Sequence, residues 1–127
     1  IIFSNNLDQI ILDSDKEQLS RVFLNLIKNS IESIHQRSEI MSIFNKKIII
    51  ELSDFGEHIC LLITDTGIGF GVLNTDFKNI LNPYFTTKKN GTGLGLSIVN
   101  KIINDHNGSI EFISIDNGAQ IKIILLK

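Results

Sequence analysis

Three glycines at alternate positions, Gly91, Gly93 and Gly95, stand between the pair Lys88-Lys89 and four apolar positions, Ile98, Val99, Ile102 and Ile103. The apolar spacing puts those four on one face of a helix, so a glycine-rich loop feeds a helix N-terminus. Glycine has no Cβ and lets a backbone approach a ligand closely, and the first N–H groups of a helix have no partner of their own. The helix dipole adds partial positive charge at that end, which makes phosphate the natural ligand. A tight helix entry would use the same glycines, so the run gains weight only in combination. Two further segments supply the combination. Asp65-Thr-Gly67-Ile-Gly69 follows an apolar run, and Asn25, Asn29 and Glu32 fall at i, i+4 and i+7 of a helical pattern, where a solvated face is the alternative reading. Neither glycine run has the Lys-Ser or Lys-Thr of a P-loop or the Gly-x-Gly-x-x-Gly spacing of a dinucleotide site. Nucleotide binding by this chain has to be of another kind.

The elements that must position these residues follow from patterning. Residues 1–7 have little pattern, and Gln9 to Leu12 reads as a short edge strand. Ser14 followed by Glu17 is a capping box that opens a helix to about Arg37, with Leu19, Val22, Phe23, Leu26, Ile27 and Ile34 on a broad apolar face. Lys47 to Ser53 and His58 to Thr64 are β-branched-rich strands joined by the Asp54-Phe-Gly-Glu57 hairpin signal. Residues 72–82 read as a short helix with Phe77, Ile80 and Leu81 as its apolar positions. The helix after the glycine loop runs to about His106, with Gly108 at its C′ end. Ser109 to Ile115 and Ala119 to Leu126 are strands turned at Asp116-Asn-Gly118. Hairpins at both ends predict an α+β two-layer sandwich, a mixed and mostly antiparallel sheet with helices on one face.

Composition narrows the classes. The 127 residues suit one domain, and 43% hydrophobic with 20% charged residues is ordinary for a globular chain. A formal net charge of −2 excludes a globally basic nucleic-acid binder. No apolar run reaches the roughly eighteen residues that span a bilayer, and the N-terminus has no signal-peptide pattern. The lone Cys60 sits in an apolar run, where a buried inert thiol is expected, and it fits a reducing compartment. There is no Cys/His cluster for zinc.

With these segments in place the resemblance is specific. Asn25-Leu-Ile-Lys-Asn29-Ser-Ile-Glu32 is similar to the N box of sensor histidine kinase ATP-binding domains, in the wider family of gyrase B, Hsp90 and MutL. Asp65-Thr-Gly-Ile-Gly69-Phe70 resembles the G1 box, Pro83-Tyr-Phe-Thr-Thr-Lys88 the F box, and Gly91-Thr-Gly-Leu-Gly-Leu-Ser97 the G2 box, all in family order. The wording of the F box and the end of the N box is nearest to the nitrogen-regulation sensor kinases. The resemblance implies the Bergerat ATP-binding fold over residues 1–127, with ATP and Mg²⁺ as ligands.

It also implies roles. Asn29 would coordinate Mg²⁺ through its amide oxygen, with Asn25 helping from one turn earlier. Asp65 would accept a hydrogen bond from the adenine amino group, while Gly67 and Gly69 let backbone pass beside the base. Gly91, Thr92, Gly93, Leu94, Gly95 and Leu96 would form the phosphate loop, with Lys88 or Lys89 adding charge. Thr87, like Thr86, would cap or touch phosphate, and Tyr84 and Phe85 would anchor a lid or pack in the core. Family members that hydrolyse ATP with water carry glutamate where this chain has Asn25, and asparagine cannot take a proton at neutral pH. Phosphoryl transfer to another group is therefore expected. Glu32 replaces the lysine or arginine of many sensor kinases and would repel phosphate, so it is expected to face the lid, a lysine or solvent. Gln120 stands where the last strand often has threonine near the adenine.

The acceptor histidine of such kinases is usually followed by Glu or Asp, but here His35 precedes Gln36, His58 precedes Ile59 and His106 precedes Asn107. Each reads as a surface or helix-end histidine. The acceptor is expected on a separate histidine-containing dimerisation domain upstream of Ile1, with a response regulator receiver domain as the next partner. The fragment itself is expected to be monomeric, with no nucleic-acid partner. The domain is expected to be cytoplasmic, within a full-length protein whose anchoring in the inner membrane stays open. The competing readings are a degenerate nucleotide-binding regulatory module and a serine kinase of the anti-sigma-factor type.

Overall fold

A computed structural model describes residues 1–5, 12, 14–69 and 95–127. In chain order these form β1 (Ile2–Asn5), α1 (Lys16–Ile40), β2 (Ile48–Asp54), β3 (His58–Asp65), α2 (Gly95–Asp105), β4 (Ser109–Ile115) and β5 (Gly118–Leu126). The strands make one sheet in the order β1-β2-β3-β5-β4. Every pairing is antiparallel except β1 with β2, which is parallel. The mixed, mostly antiparallel sheet is thus as expected.

Alternation along the strands selects one face for the helices. Ile48 and Ile50 of β2, Ile59, Leu61 and Ile63 of β3, and Ile121, Ile123 and Leu125 of β5 are buried in a single cluster. Leu19, Val22 and Leu26 of α1 and Val99, Ile102 and Ile103 of α2 complete it from above. Each fully buried aliphatic side chain contributes about 1.5–3 kcal/mol relative to exposure, so this cluster is the main driving force for the two-layer arrangement. Cys60 is buried, as its apolar context suggested.

Several boundaries differ from the sequence reading, each for a local reason. Ile2–Asn5, within the stretch that showed little pattern, is a strand, because its partner is the distant β2 and four residues are too few for a period-two signal. Of the strand expected at Gln9 to Leu12, Leu12 lies outside any strand and residues 9–11 lie outside the described residues. Asp15, not Ser14, caps α1, its carboxylate accepting from Gln18 N–H at 3.1 Å. The helix also continues past Arg37 to Ile40. The short helix expected at 72–82 lies outside the described residues.

The end of α2 is the clearest correction. Asn107, with φ of 57°, takes the left-handed C′ position expected of Gly108. Gly108 N–H reaches Ile103 C=O at 2.9 Å and Asn107 N–H reaches Asn104 C=O at 3.0 Å, the paired bonds of a Schellman motif. Gly108 is needed for close approach instead, since a Cβ there would strike the Ile124 carbonyl of β5. His106 sits beside this cap and bridges the two helices. Its Nε2 accepts from Asp15 N–H at 3.1 Å, and its Nδ1 lies 2.8 Å from Ile102 C=O. A helix-end histidine is what the sequence suggested there.

These assignments separate in mutagenesis. Gly108→Ala should lower unfolding stability in a urea titration by about 1–3 kcal/mol through overpacking against β5. Asn107→Gly should leave stability within about 0.5 kcal/mol or raise it, because glycine adopts positive φ without strain. The reverse ranking would restore Gly108 as the left-handed cap.

Candidate functional site

One stripe of α1 leads from the core into the site. Leu19, Val22, Leu26 and Ser30 are its buried positions, spaced i, i+3, i+7 and i+11. Where the stripe passes the end of β3, its residues become polar: Ser30, Ser33 and Arg37. Each meets the turn that follows β3.

Asp65, the last residue of β3, is 5% exposed. Burial of its carboxyl raises the pKa above 3.8, because a charge in low dielectric loses its hydration. Donors from Gly67 N–H, the Ser30 hydroxyl and Ala119 N–H act in the opposite direction. The Gly67 bond, at 2.9 Å, folds the turn back on its own aspartate. Ser33 holds the next residue, accepting from Ile68 N–H at its hydroxyl (3.0 Å) and at its carbonyl (3.2 Å). A Cβ on Gly67 would overlap the Ser33 hydroxyl, so only glycine lets the turn lie this close to the helix. Gly69 has φ of +80°, and a Cβ there would come 2.6 Å from the Gly118 carbonyl. Gly118 in turn packs against the Asp65 carbonyl.

A second stripe of α1 faces α2. Asn25 donates from Nδ2 to Arg21 C=O at 2.9 Å, four residues back. Its Oδ1 lies 3.3 Å from where a Cβ on Gly95, the first residue of α2, would sit. Asn29 is half-buried one turn on, between Asn25 and Ser33. The helix therefore joins the entry of α2 at Asn25 to the Asp65 turn at Ser30 and Ser33. Leu96 packs against the core rather than standing free.

Of the residues expected at the site, Asn25, Asn29, Asp65, Gly67, Gly69, Gly95 and Leu96 are described, and α1 gathers most of them. Thr87, Lys88, Gly91, Thr92, Gly93 and Leu94, with Tyr84, Phe85, Thr86 and Lys89, lie outside the described residues. Gln120 is a correction. Its register partner is Thr64, to whose hydroxyl it donates at 3.0 Å, whereas Asp65 pairs with Ala119. Alternation puts Gln120 on the opposite face of the sheet, and the last-strand residue beside Asp65 is the buried Ala119. Ser30, Ser33 and Arg37 escaped the sequence reading. The available signal was three polar residues in phase with Leu19, Val22 and Leu26.

An apolar cavity of about 690 Å³ lies elsewhere, between the N-terminal half of α1 and strands β2 and β3, with Leu19, Phe23, Ile50 and Leu61 in its wall. It contains none of the polar residues above. No group of three or more His, Cys, Asp or Glu among the described residues could hold a metal ion.

A family model for histidine kinase-, DNA gyrase B- and HSP90-like ATPases matches residues 14–127. The chain belongs to this family. Sensor histidine kinase ZraS of Escherichia coli O157:H7 is 34% identical over 115 residues, covering 90% of this chain and 23% of that protein. Sensory histidine kinase/phosphatase NtrB of Azospirillum brasilense is 34% identical over 116 residues, 87% of this chain and 29% of that protein. The catalytic domain of histidine kinase ThkA superposes with a TM-score of 0.80 at 29% identity, covering 99% of this chain and 77% of that one. Fold and sequence are those of the ATP-binding catalytic domain of sensor histidine kinases. The chain spans less than a third of the curated relatives it matches. No helix among the described residues is long and apolar enough to cross a membrane.

The buried carboxylate makes a direct prediction. With a folded pKa above 3.8, native Asp65 binds its proton more tightly than the unfolded chain does. Its contribution to stability therefore falls as pH rises from 3.8 through the folded pKa, and is constant above it. A carboxyl ¹³C NMR titration should give Asp65 a midpoint above 3.8. Ser30→Ala should move that midpoint further up, since it removes a donor to the charged form. A midpoint unmoved or lowered by Ser30→Ala would contradict the hydrogen bond.

Proposed function

We propose that this domain binds Mg-ATP and donates the γ-phosphoryl group to a histidine on a separate helical dimerisation domain, from which it passes to an aspartate of a response regulator. The observation that carries the reading is the single helix α1, which joins a buried, donor-ringed Asp65 at one end to the glycine entry of α2 at the other. One end suits a base with an exocyclic amino group, and the other suits phosphates.

The division of roles follows from chemistry. Asp65 accepts from the adenine amino group, and its three donors from the protein oppose the effect of burial on the carboxyl and orient it for that bond. Gly67 and Gly69 hold the turn low enough for a base to lie beside it. Gly95, with Gly91, Thr92, Gly93, Leu94 and Leu96, presents backbone N–H groups to the phosphates, and Thr87 and Lys88 neutralise or cap them. Asn29 offers an amide oxygen to Mg²⁺, which when bound would neutralise charge on the β- and γ-phosphates. Asn25 cannot accept a proton at neutral pH, so no side chain at that position activates water. Transfer rather than hydrolysis follows, with catalysis resting on positioning. Such a domain works where ATP and its response regulator are found, on the cytoplasmic side, and needs its dimerisation domain to complete the reaction.

Calorimetric titration of the chain with ATP and Mg²⁺ tests the reading. Asp65→Asn should weaken ATP at least about tenfold, since a lost charge-assisted hydrogen bond costs about 1.5–3 kcal/mol. Asn29→Ala should abolish the Mg²⁺ dependence of binding, and in a full-length protein it should abolish autophosphorylation while leaving the fold intact. ATP binding indifferent to Asp65→Asn would refute the assignment of the base.

A further inference from the structure

We infer that Arg37 is a positioning residue for base recognition, its guanidinium tying together the two backbone turns that flank Asp65. The inference rests on the reading of Asp65 as the adenine acceptor. Arg37 Nη1 donates to Thr66 C=O at 2.7 Å and to Asn117 C=O at 3.2 Å. Thr66 directly follows Asp65. Asn117 directly precedes Gly118 and Ala119, the residues whose backbone packs on Asp65 and donates to its carboxylate.

The two carbonyls belong to turns far apart in the chain, and Arg37 reaches both from α1. The guanidinium is itself held from its other side, with its central carbon 4.4 Å from the centre of the Phe44 ring. That ring also carries Lys46 Nζ at 5.6 Å, so its face is a seat for cations. Asn117 adopts φ of 61°, the left-handed conformation of the β4–β5 turn. Thr66 is fixed independently, since its hydroxyl accepts from Lys47 N–H at 2.9 Å and its N–H donates to Lys47 C=O at 3.1 Å. Arg37 thus connects a turn anchored to β2 with a turn that carries the Ala119 donor. Both bonds leave one nitrogen, Nη1, whose two N–H directions are fixed in the guanidinium plane, whereas the ammonium of a lysine rotates at the end of a flexible stem. Ser33, one turn earlier on α1, anchors the same G1-type turn at Ile68. The guanidinium makes no contact with Asp65 itself, so it acts on the base only through the two turns.

The test uses the chain with Arg37→Leu, Arg37→Lys and Asp65→Asn, titrated with ATP and with GTP. Arg37→Leu should weaken ATP by about tenfold while GTP changes by less than about twofold, so the preference for adenine collapses. Arg37→Lys should recover part of that preference. Amide exchange at Gly67, Ile68 and Ala119 should speed up by about tenfold in Arg37→Leu, with the α1 and β3 core amides unchanged. A merely structural role would weaken both nucleotides equally and raise exchange throughout, and that outcome overturns the inference. Adenine preference lost in Asp65→Asn but kept in Arg37→Leu overturns it too. Preference kept in Asp65→Asn would instead defeat the reading of Asp65. Should Arg37→Leu fail to fold, Phe44→Leu keeps both hydrogen-bonding partners and should reduce the preference by about threefold; unchanged preference there counts against the role of Arg37.

Discussion

A carboxylate buried at the end of a central strand is the constraint from which the rest of the structure follows. Leaving Asp65 in low dielectric without partners would cost several kcal/mol, or it would stay protonated. The fold meets this by bringing donors from three directions: the turn it begins, the helix above it and the neighbouring strand. Each donor demands something of the sequence. The Gly67 N–H needs a turn that bends sharply back, the Ser30 hydroxyl needs a small polar residue in the core stripe of α1, and the Ala119 N–H needs β5 in register beside β3. The sheet order β3-β5 is therefore as much a condition of the carboxylate as of the apolar core.

The same constraint accounts for the density of glycine and small residues around Asp65. A helix, a strand-ending turn and a hairpin turn all converge within van der Waals distance of one side chain. Gly67 lies against Ser33, Gly69 against Gly118, and Gly118 against the Asp65 carbonyl. A methyl group at any of these contacts would push two elements apart. Binding sites that accept a flat ring need such close backbone approach, and side chains of ordinary size would fill the space.

The apolar skeleton was legible in the sequence because periodicity reports burial directly: β2, β3, β4, β5 and α2 lie within about two residues of their expected bounds. β1 was not legible, since a four-residue edge strand owes its existence to a partner more than forty residues away. Two caps were misplaced by one residue, those at Asp15 and Asn107. Neighbouring Ser14 and Gly108 have the right chemistry, and only the backbone dihedrals decide between them. Within the site, Asp65, Gly67 and Gly69 announced themselves by type and spacing. Ser30, Ser33 and Arg37 did not, because serine on a helix reads as surface until its phase is compared with Leu19, Val22 and Leu26. Gln120 was matched to the place where the family's last strand often has threonine, with no role assigned to it, and a one-residue shift in a strand exchanges the two faces of the sheet.

Helix α1 carries two functional stripes that meet different chemistry. Asn25 faces the entry of α2, with Asn29 one turn on, and Ser30, Ser33 and Arg37 face the Asp65 turn. At 1.5 Å per residue, Asn25 and Ser33 are separated by about 12 Å along one rigid rod. On the proposed reading, that rod fixes the distance between the recognised base and the recognised phosphates. A helix of 25 residues whose first half is bolted to the core by Leu19, Val22 and Leu26 cannot stretch to suit a longer or shorter ligand. On that reading the choice of base rests on Asp65, while selection by ligand length rests on the spacing of two anchor points along a helix that the hydrophobic core has already immobilised.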